Sequence, residues 1–327
     1  MRALVYTGPG KVEIQDWPHR RRAGAGEVEV SVELAGLCGA DITAFQGRCR
    51  SRTPPMILGH ELVGHTSNRA RVVVDPLIPC GRCIECASGA TNLCRDLRLL
   101  GMGNTAGCFA ELVVVPESQI HPIDESLENK LAVFVEPLAN VVHLFRSVSL
   151  LAQRRIGILG AGTMGTMILQ RALQLGCKQV LVEEIVEERR LASEQIGATM
   201  ALTPLRQHEA AREFVGRGLD VVVDACGTSA ARQRAFELCR PGGTVVLFGL
   251  ADPLSEIHFA TSIRNEHRVL MSFGYTKQDF AQSLELLTAG AVNLSQWTAE
   301  MPLEQGQQAF ERMVHSRGGT LKMLLRI

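Results

Sequence analysis

Residues 157–165 read Gly-Ile-Leu-Gly-Ala-Gly-Thr-Met-Gly. The stretch is a short apolar strand, a glycine turn and the first residues of a helix. Gly160, Gly162 and Gly165 have the spacing G-x-G-x-x-G. The first glycine permits the tight turn, the second lets backbone approach a pyrophosphate, and the third lets helix pack on strand. Such a helix start offers unpaired N–H groups and a positive dipole end to phosphates. By itself the motif also fits a glycine turn that holds no nucleotide.

A second apolar run, Val180-Leu181-Val182, ends in Glu183 and Glu184. Glu184 stands nineteen residues after Gly165, where an acid meets the adenosine ribose hydroxyls. Glu183 next door is the alternative. An acid there repels the extra phosphate of NADP, so the expected cofactor is NAD. Gly160, Gly162, Thr163, Met164, Gly165 and Glu184 are the candidate cofactor contacts. Arg189 either reaches the adenosine side or pairs with a neighbouring glutamate.

Outward from this core the pattern is that of a parallel α/β sheet. Met167, Ile168, Leu169, Ala172, Leu173 and Leu175 form an apolar face at helical spacing. Residues 187–197 read as a helix ending at glycine. Asp220 to Gly227 and Gly243 to Gly249 read as buried parallel strands. Strand C-terminal ends line the ligand crevice of such sheets. Ala225, Cys226, Phe248 and Gly249 are therefore candidate walls near the nicotinamide, with Cys226 also readable as plain packing. Upstream, a helix is expected from Glu136 to about Leu151, and Arg154-Arg155 precede a strand from Ile156 to Leu159.

The 327-residue length is about two domains' worth of chain. Hydrophobic residues are 46% and charged residues 21%, which is globular composition. Lys+Arg and Asp+Glu are equal at 34, so nothing points to nucleic acid or an anionic membrane. Met1 to Gly10 has no long apolar core, and no apolar run reaches a membrane span. The expectation is a cytoplasmic protein. Its ten cysteines then read as thiols and metal ligands, not disulfides.

Residues 1 to about 36 alternate apolar and polar positions, as half-buried antiparallel strands do. The run Arg20-Arg21-Arg22 reads as a solvated loop. Then come Cys38, His60-Glu61 and, far downstream, Glu136. Cys, His and Glu are donors that zinc accepts, and three protein ligands with an open position make a catalytic site. Cys80, Cys83, Cys86 and Cys94 follow the spacing C-x2-C-x2-C-x7-C. Four thiolates on one ion form a closed, structural zinc site; an iron–sulfur cluster is the alternative. Arg48, Arg50 and Arg52 fit either a phosphate or carboxylate contact or a solvated loop.

These segments together resemble the zinc-containing medium-chain alcohol and polyol dehydrogenases, nearly end to end. The resemblance rests on Gly36-Leu37-Cys38-Gly39, Gly59-His60-Glu61, the four-cysteine loop and Gly107-Cys108-Phe109-Ala110-Glu111. It continues in Glu136-Pro137-Leu138-Ala139, the glycine turn, Gly242-Gly243-Thr244-Val245-Val246 and Gly319-Thr320-Leu321-Lys322. It implies an α/β protein: a Rossmann doubly wound parallel sheet over 146–274, plus a mostly-β, partly barrel-like (GroES-like) catalytic domain over 1–145 and 275–327. It implies two zincs per chain, one held by Cys38, His60 and Glu61. Glu136 is either a ligand or a carboxylate that exchanges with water. It further implies a homodimer or homotetramer acting on a small-molecule alcohol or carbonyl.

Three departures stand out. Ala40 occupies the place of a Ser or Thr that takes the substrate proton in much of the family, and Thr43 the place of a histidine that passes it on. Either the proton then travels through water or Thr43, or the enzyme lacks efficient alcohol deprotonation at this place. Gly274 in Ser272-Phe273-Gly274-Tyr275 replaces an arginine, so one polar substrate contact is missing. The segment His65 to Arg71 is short. The expected activity is NAD-dependent oxidation of a secondary alcohol. The competing readings are a biosynthetic NADH-dependent carbonyl reductase and a non-catalytic zinc- and nucleotide-binding protein.

Overall fold

The structure is a computed structural model that describes residues 1–18, 23–148, 154–204, 214, 216, 218–315 and 318–327. The arginine run at 20–22 and the end of the helix expected to reach Leu151 lie outside the described residues. The chain forms two compact units, Met1–Ala139 with Tyr275–Ile327, and Asn140–Gly274.

The first unit contains β1 (Arg2–Gly8), β2 (Lys11–Asp16), β3 (Glu27–Gly36), β4 (Met56–Ile57), β5 (Glu61–Thr66) and β6 (Arg71–Val74). It continues with β7 (Leu77–Ile78), β8 (Arg98–Leu99), β9 (Leu112–Pro116) and β10 (Ile120–Pro122). The second unit holds β11 (Arg155–Leu159), β12 (Gln179–Glu183), β13 (Met200–Leu202), β14 (Leu219–Asp224), β15 (Cys239–Leu247) and β16 (Arg268–Met271). The chain then re-enters the first unit with β17 (Thr298–Pro302) and β18 (Lys322–Arg326).

The alternation at the start of the chain becomes the antiparallel pair β1–β2 and the long strand β3. β3 is the hub of its sheet, pairing antiparallel with β5, β9 and β18. The order is β10-β6-β5-β3-β18-β17, with β9 also on β3. The short segment after His65 is a tight turn in which Thr66 N–H donates to Ala70 O at 3.0 Å, joining β5 to β6. Phe310, on the helix Gly306–His315, packs in the core against Phe45 (centroids 4.9 Å) and Phe109 (6.0 Å). Burial of such rings accounts for much of a core's stabilisation.

The second unit is a six-stranded sheet of order β13-β12-β11-β14-β15-β16, parallel throughout. This is the doubly wound order, with its reversal between β11 and β14. In register, Leu159 stands beside Glu183 and Asp224, and Asp224 beside Leu247. The residues that follow, Gly160, Glu184, Ala225 and Phe248, therefore leave the sheet along one edge. The strand expected over Gly243–Gly249 begins earlier, at Cys239, and ends at Leu247, so Phe248 and Gly249 lie beyond it.

Candidate metal and nucleotide sites

Cys38 sits where β3 ends, at the cap of the helix Gly39–Phe45. Asp41, fully buried, fixes this corner. Its Oδ2 accepts from Cys38 N–H at 3.0 Å, and its Oδ1 lies 3.8 Å from His60 Nδ1. Arg52 closes the corner from the other side, donating to Gly101 O at 2.8 Å and Ala40 O at 3.1 Å. That corrects the solvated-loop reading for Arg52. It is buried, and its guanidinium satisfies backbone carbonyls that would otherwise be stranded. Arg48 and Arg50 are exposed.

His60 and Glu61 stand at the start of β5, and Glu61 is in register with Gly36 at the end of β3. The pairing brings one ligand atom each of Cys38, His60 and Glu61 within 4.8 Å of one another. A zinc ion fits this set by two observations. The donors are a thiol, an imidazole and a carboxylate. His60 Nδ1 is also buried without a hydrogen-bond partner, the kind of orphan atom that a bound group resolves. Burial, then the charge of Glu61, pushes the Cys38 thiol well up. Such a thiol ionises readily only with a cation beside it.

Glu136 is buried but is not one of those three converging residues. The Tyr275 phenol lies between Glu136 and Asp75, hydrogen-bonded to Asp75 Oδ1 at 3.3 Å. Burial first, then the charges of Glu136 and Asp75, raises the phenol far above its ordinary range. Thr43 points its hydroxyl back along its own helix, donating to Gly39 O at 3.0 Å, so only its lone pairs remain for a relay.

Cys80, Cys83, Cys86 and Cys94 form the second cluster, again with ligand atoms within 4.8 Å. Cys83 caps the four-residue helix Ile84–Ala87, and Cys80 N–H points at Cys94 Sγ (3.2 Å). Backbone N–H groups of Arg82 and Cys83 lower the Cys80 thiol, preparing a thiolate for a cation.

In the second unit the glycine turn has the geometry its spacing demands. Gly160 has φ +94°, and a Cβ on Gly165 would stand 1.8 Å from Gly160 O, so the helix Thr163–Gln174 touches the strand end. Gly162 meets nothing within 4 Å except the edge of the Arg189 guanidinium, leaving its backbone open to approach. Glu183 is committed elsewhere, gripped by Arg234 through contacts of 2.7 to 3.1 Å. Glu184 instead turns to the glycines: its carboxylate accepts from Ala161 N–H at 2.8 Å and Val186 N–H at 2.9 Å. Cys226 lies over the turn, its thiol 3.3 Å from Leu159 O and filling the space beside Gly160. Asp224, buried, accepts from the N–H groups of Cys226 and Gly227 and so shapes this edge. Ala225 N–H donates to Leu159 O, and Gly249 packs on Gly227.

Lys322 enters the sequence reading only as part of a motif, Tyr275 only as the neighbour of Gly274, and Arg52 only as a ligand contact or a loop residue. All three are buried polar side chains, each with at least one partner far away in sequence. One signal existed for Lys322: it interrupts an otherwise apolar run from Leu321 to Leu325.

The model of the alcohol dehydrogenase GroES-like domain matches residues 24–125, and that of the zinc-binding dehydrogenase domain matches residues 163–289. D-xylulose reductase A of Aspergillus oryzae is 27% identical, over 97% of this chain and 94% of the relative. A zinc-binding dehydrogenase of Sinorhizobium meliloti 1021, solved with NADP, superposes with a TM-score of 0.90 at 28% identity, covering 100% of this chain and 99% of that one. An Escherichia coli CFT073 alcohol dehydrogenase (rspB), solved with NADH, gives 0.91 at 25% identity, with coverage of 100% and 99%. With both domains matched in order and the two cysteine-containing clusters assembled, the chain belongs to the zinc-containing medium-chain alcohol and polyol dehydrogenase family.

Proposed function

We propose that this enzyme moves hydride between a secondary alcohol on a polyhydroxylated molecule and NAD. The observation that carries the proposal is the convergence of Cys38, His60 and Glu61 within 4.8 Å. When bound there, zinc supplies Lewis acidity toward a substrate oxygen, and NAD supplies the hydride acceptor. The chain's own residues do the rest. Asp41 orients Cys38 and faces His60, Tyr275 holds Glu136, and the glycine turn with Glu184 seats the dinucleotide. Glu184 supports NAD over NADP, because its carboxylate stands at the turn where a 2′-phosphate would meet like charge. The polyol class draws support from the name of the A. oryzae relative.

The test is a screen of polyols, cyclitols and sugar phosphates with NAD and NADP, beside the variant Cys38→Ser. The wild type should hold about two zincs, and the variant about one, with turnover abolished and NADH binding kept. Full turnover in Cys38→Ser would sink the site assignment. NADH binding with no zinc-dependent turnover on any substrate would support a non-catalytic role instead.

The competing direction is carbonyl reduction; with no hydroxyl at Ala40, the substrate proton is left to water or Thr43 in either direction. Forward and reverse rates compared across pH distinguish the two directions.

We also infer a cytoplasmic homo-oligomer. None of the ten cysteines is paired in a disulfide, as suits a reducing compartment. Among the described residues no helix is long and apolar enough to cross a membrane. The strand β16 ends its sheet, with Val269 and Met271 exposed on it and Phe259, Ile263 and Phe273 exposed nearby in sequence. An open apolar edge of this kind invites a second strand.

A further inference from the structure

Lys322 opens β18 and is only 2% exposed. Its ammonium donates to Glu61 Oε1 at 2.6 Å and to Leu37 O at 3.2 Å, and lies 2.5 Å from Glu61 Oε2, which accepts no hydrogen bond and so is left for the ion. The ring of Phe134 lies 5.9 Å away. The pair meets across an intervening strand. Glu61 is on β5 and Lys322 on β18, and β3 runs between them. A Cβ at Gly36 would stand 2.2 Å from Glu61 Oε2 and 3.3 Å from Lys322 Cε. The absence of a side chain at 36 is therefore what lets the two charges touch.

Stability alone does not explain this lysine. A buried ion pair recovers little beyond its own desolvation, and an apolar pair of equal volume does as well or better. What distinguishes the pair is the place of its carboxylate, beside the Cys38 thiol and the His60 ring.

We propose that Lys322 is a positioning residue for the metal centre, one that shares the Glu61 carboxylate with the bound ion. The inference rests on reading Cys38, His60 and Glu61 as a zinc site. With its carboxylate divided between two cations, Glu61 gives each less than its full charge. Lys322 thereby loosens the ion's hold and leaves the centre one charge more positive than its ligands alone would. A more positive centre draws an oxygen lone pair more strongly.

The experiment compares wild type with Lys322→Met and Lys322→Gln, both neutral, and with Lys322→Arg. The readouts are zinc content, the rate of zinc loss to excess chelator, and melting temperature with and without zinc. In either neutral variant the second zinc should be lost about tenfold more slowly, a size usual for changes to groups that hold metal ligands. Zinc should also raise the melting temperature of a neutral variant more than that of the wild type, because the ion now compensates an otherwise unpaired buried charge. Lys322→Arg should retain the wild-type rate. Zinc loss at the wild-type rate or faster, or an equal fall in melting temperature with and without zinc, would overturn the proposal. Lys322→Gln keeps a donor for Glu61 and serves if the methionine variant fails to fold. If the wild type holds only the one zinc that Cys38→Ser also holds, the zinc-site reading itself has failed, and the role of Lys322 is not what is at fault.

Discussion

Asp75 shows how a single side chain can record its surroundings. It is buried at the end of β6, with Oδ1 accepting from Leu77 N–H and the Tyr275 hydroxyl. Burial raises it to about 6, against the partial relief of those hydrogen bonds. The folded state therefore binds a proton that the unfolded state releases between its ordinary carboxylate pKa and about 6. Stability from this group is full at low pH and is lost as pH rises through that window. Asp75→Asn keeps both acceptor contacts and removes the charge. It should stabilise the protein by about 3 kcal/mol at pH 8 and by well under about 1 kcal/mol near pH 4. Denaturant titration at both pH values checks this; equal gains would refute it. Residue roles were legible where partners are close in sequence, as in the four cysteines, or where chemistry allows few alternatives, as with Cys38 and His60. Lys322, Arg52 and Asp75 were not legible, because such residue types read as surface until their distant partners are known.

At the scale of elements, the segment between β7 and β8 has little apolar burial to hold it. It contains a four-residue helix with no buried residue and a three-residue 3-10 turn, and both Ile84 and Leu93 are exposed. So little apolar burial does not offset the entropy of ordering such a loop. Its order should come from the metal that Cys80, Cys83, Cys86 and Cys94 would share. Chelation, or Cys83→Ser, should expose residues 80–98 to limited proteolysis while the Asn140–Gly274 unit stays resistant. Cleavage elsewhere first would contradict this. The same physics explains which elements could be read in advance. The strands of the second unit are continuous apolar runs, and the helix over 187–196 stops at Gly197 with φ +118°. The early start of β15 was hidden because Pro241, Gly242 and Gly243 are turn formers. The Leu219–Cys239 pairing, with an irregularity before Val221, overrides that local preference.

On the scale of the whole molecule, the parallel order of the second unit could be expected from one glycine turn and the apolar runs after it, since crossover rules leave few alternatives. The open edge at β16 could not, because edges are decided by which strand has no neighbour. If a second copy pairs there, Met271→Asp should convert the assembly to monomers by light scattering, with NADH binding retained. Retention of the wild-type mass would argue that the oligomer forms elsewhere. The two units also differ in continuity. The second is one uninterrupted stretch, whereas the first is split around it. Glu61 and Lys322 belong to the same unit but are separated by 261 positions. During synthesis the ribosome makes Cys38, His60 and Glu61 long before it makes their cationic neighbour. A zinc ion that reaches the nascent chain would meet an unshared carboxylate, and β18, arriving 261 positions later, would then have to claim its part of it. The order of translation would thus place the tightest grip on the metal before the fold is finished, and the working, looser grip after it.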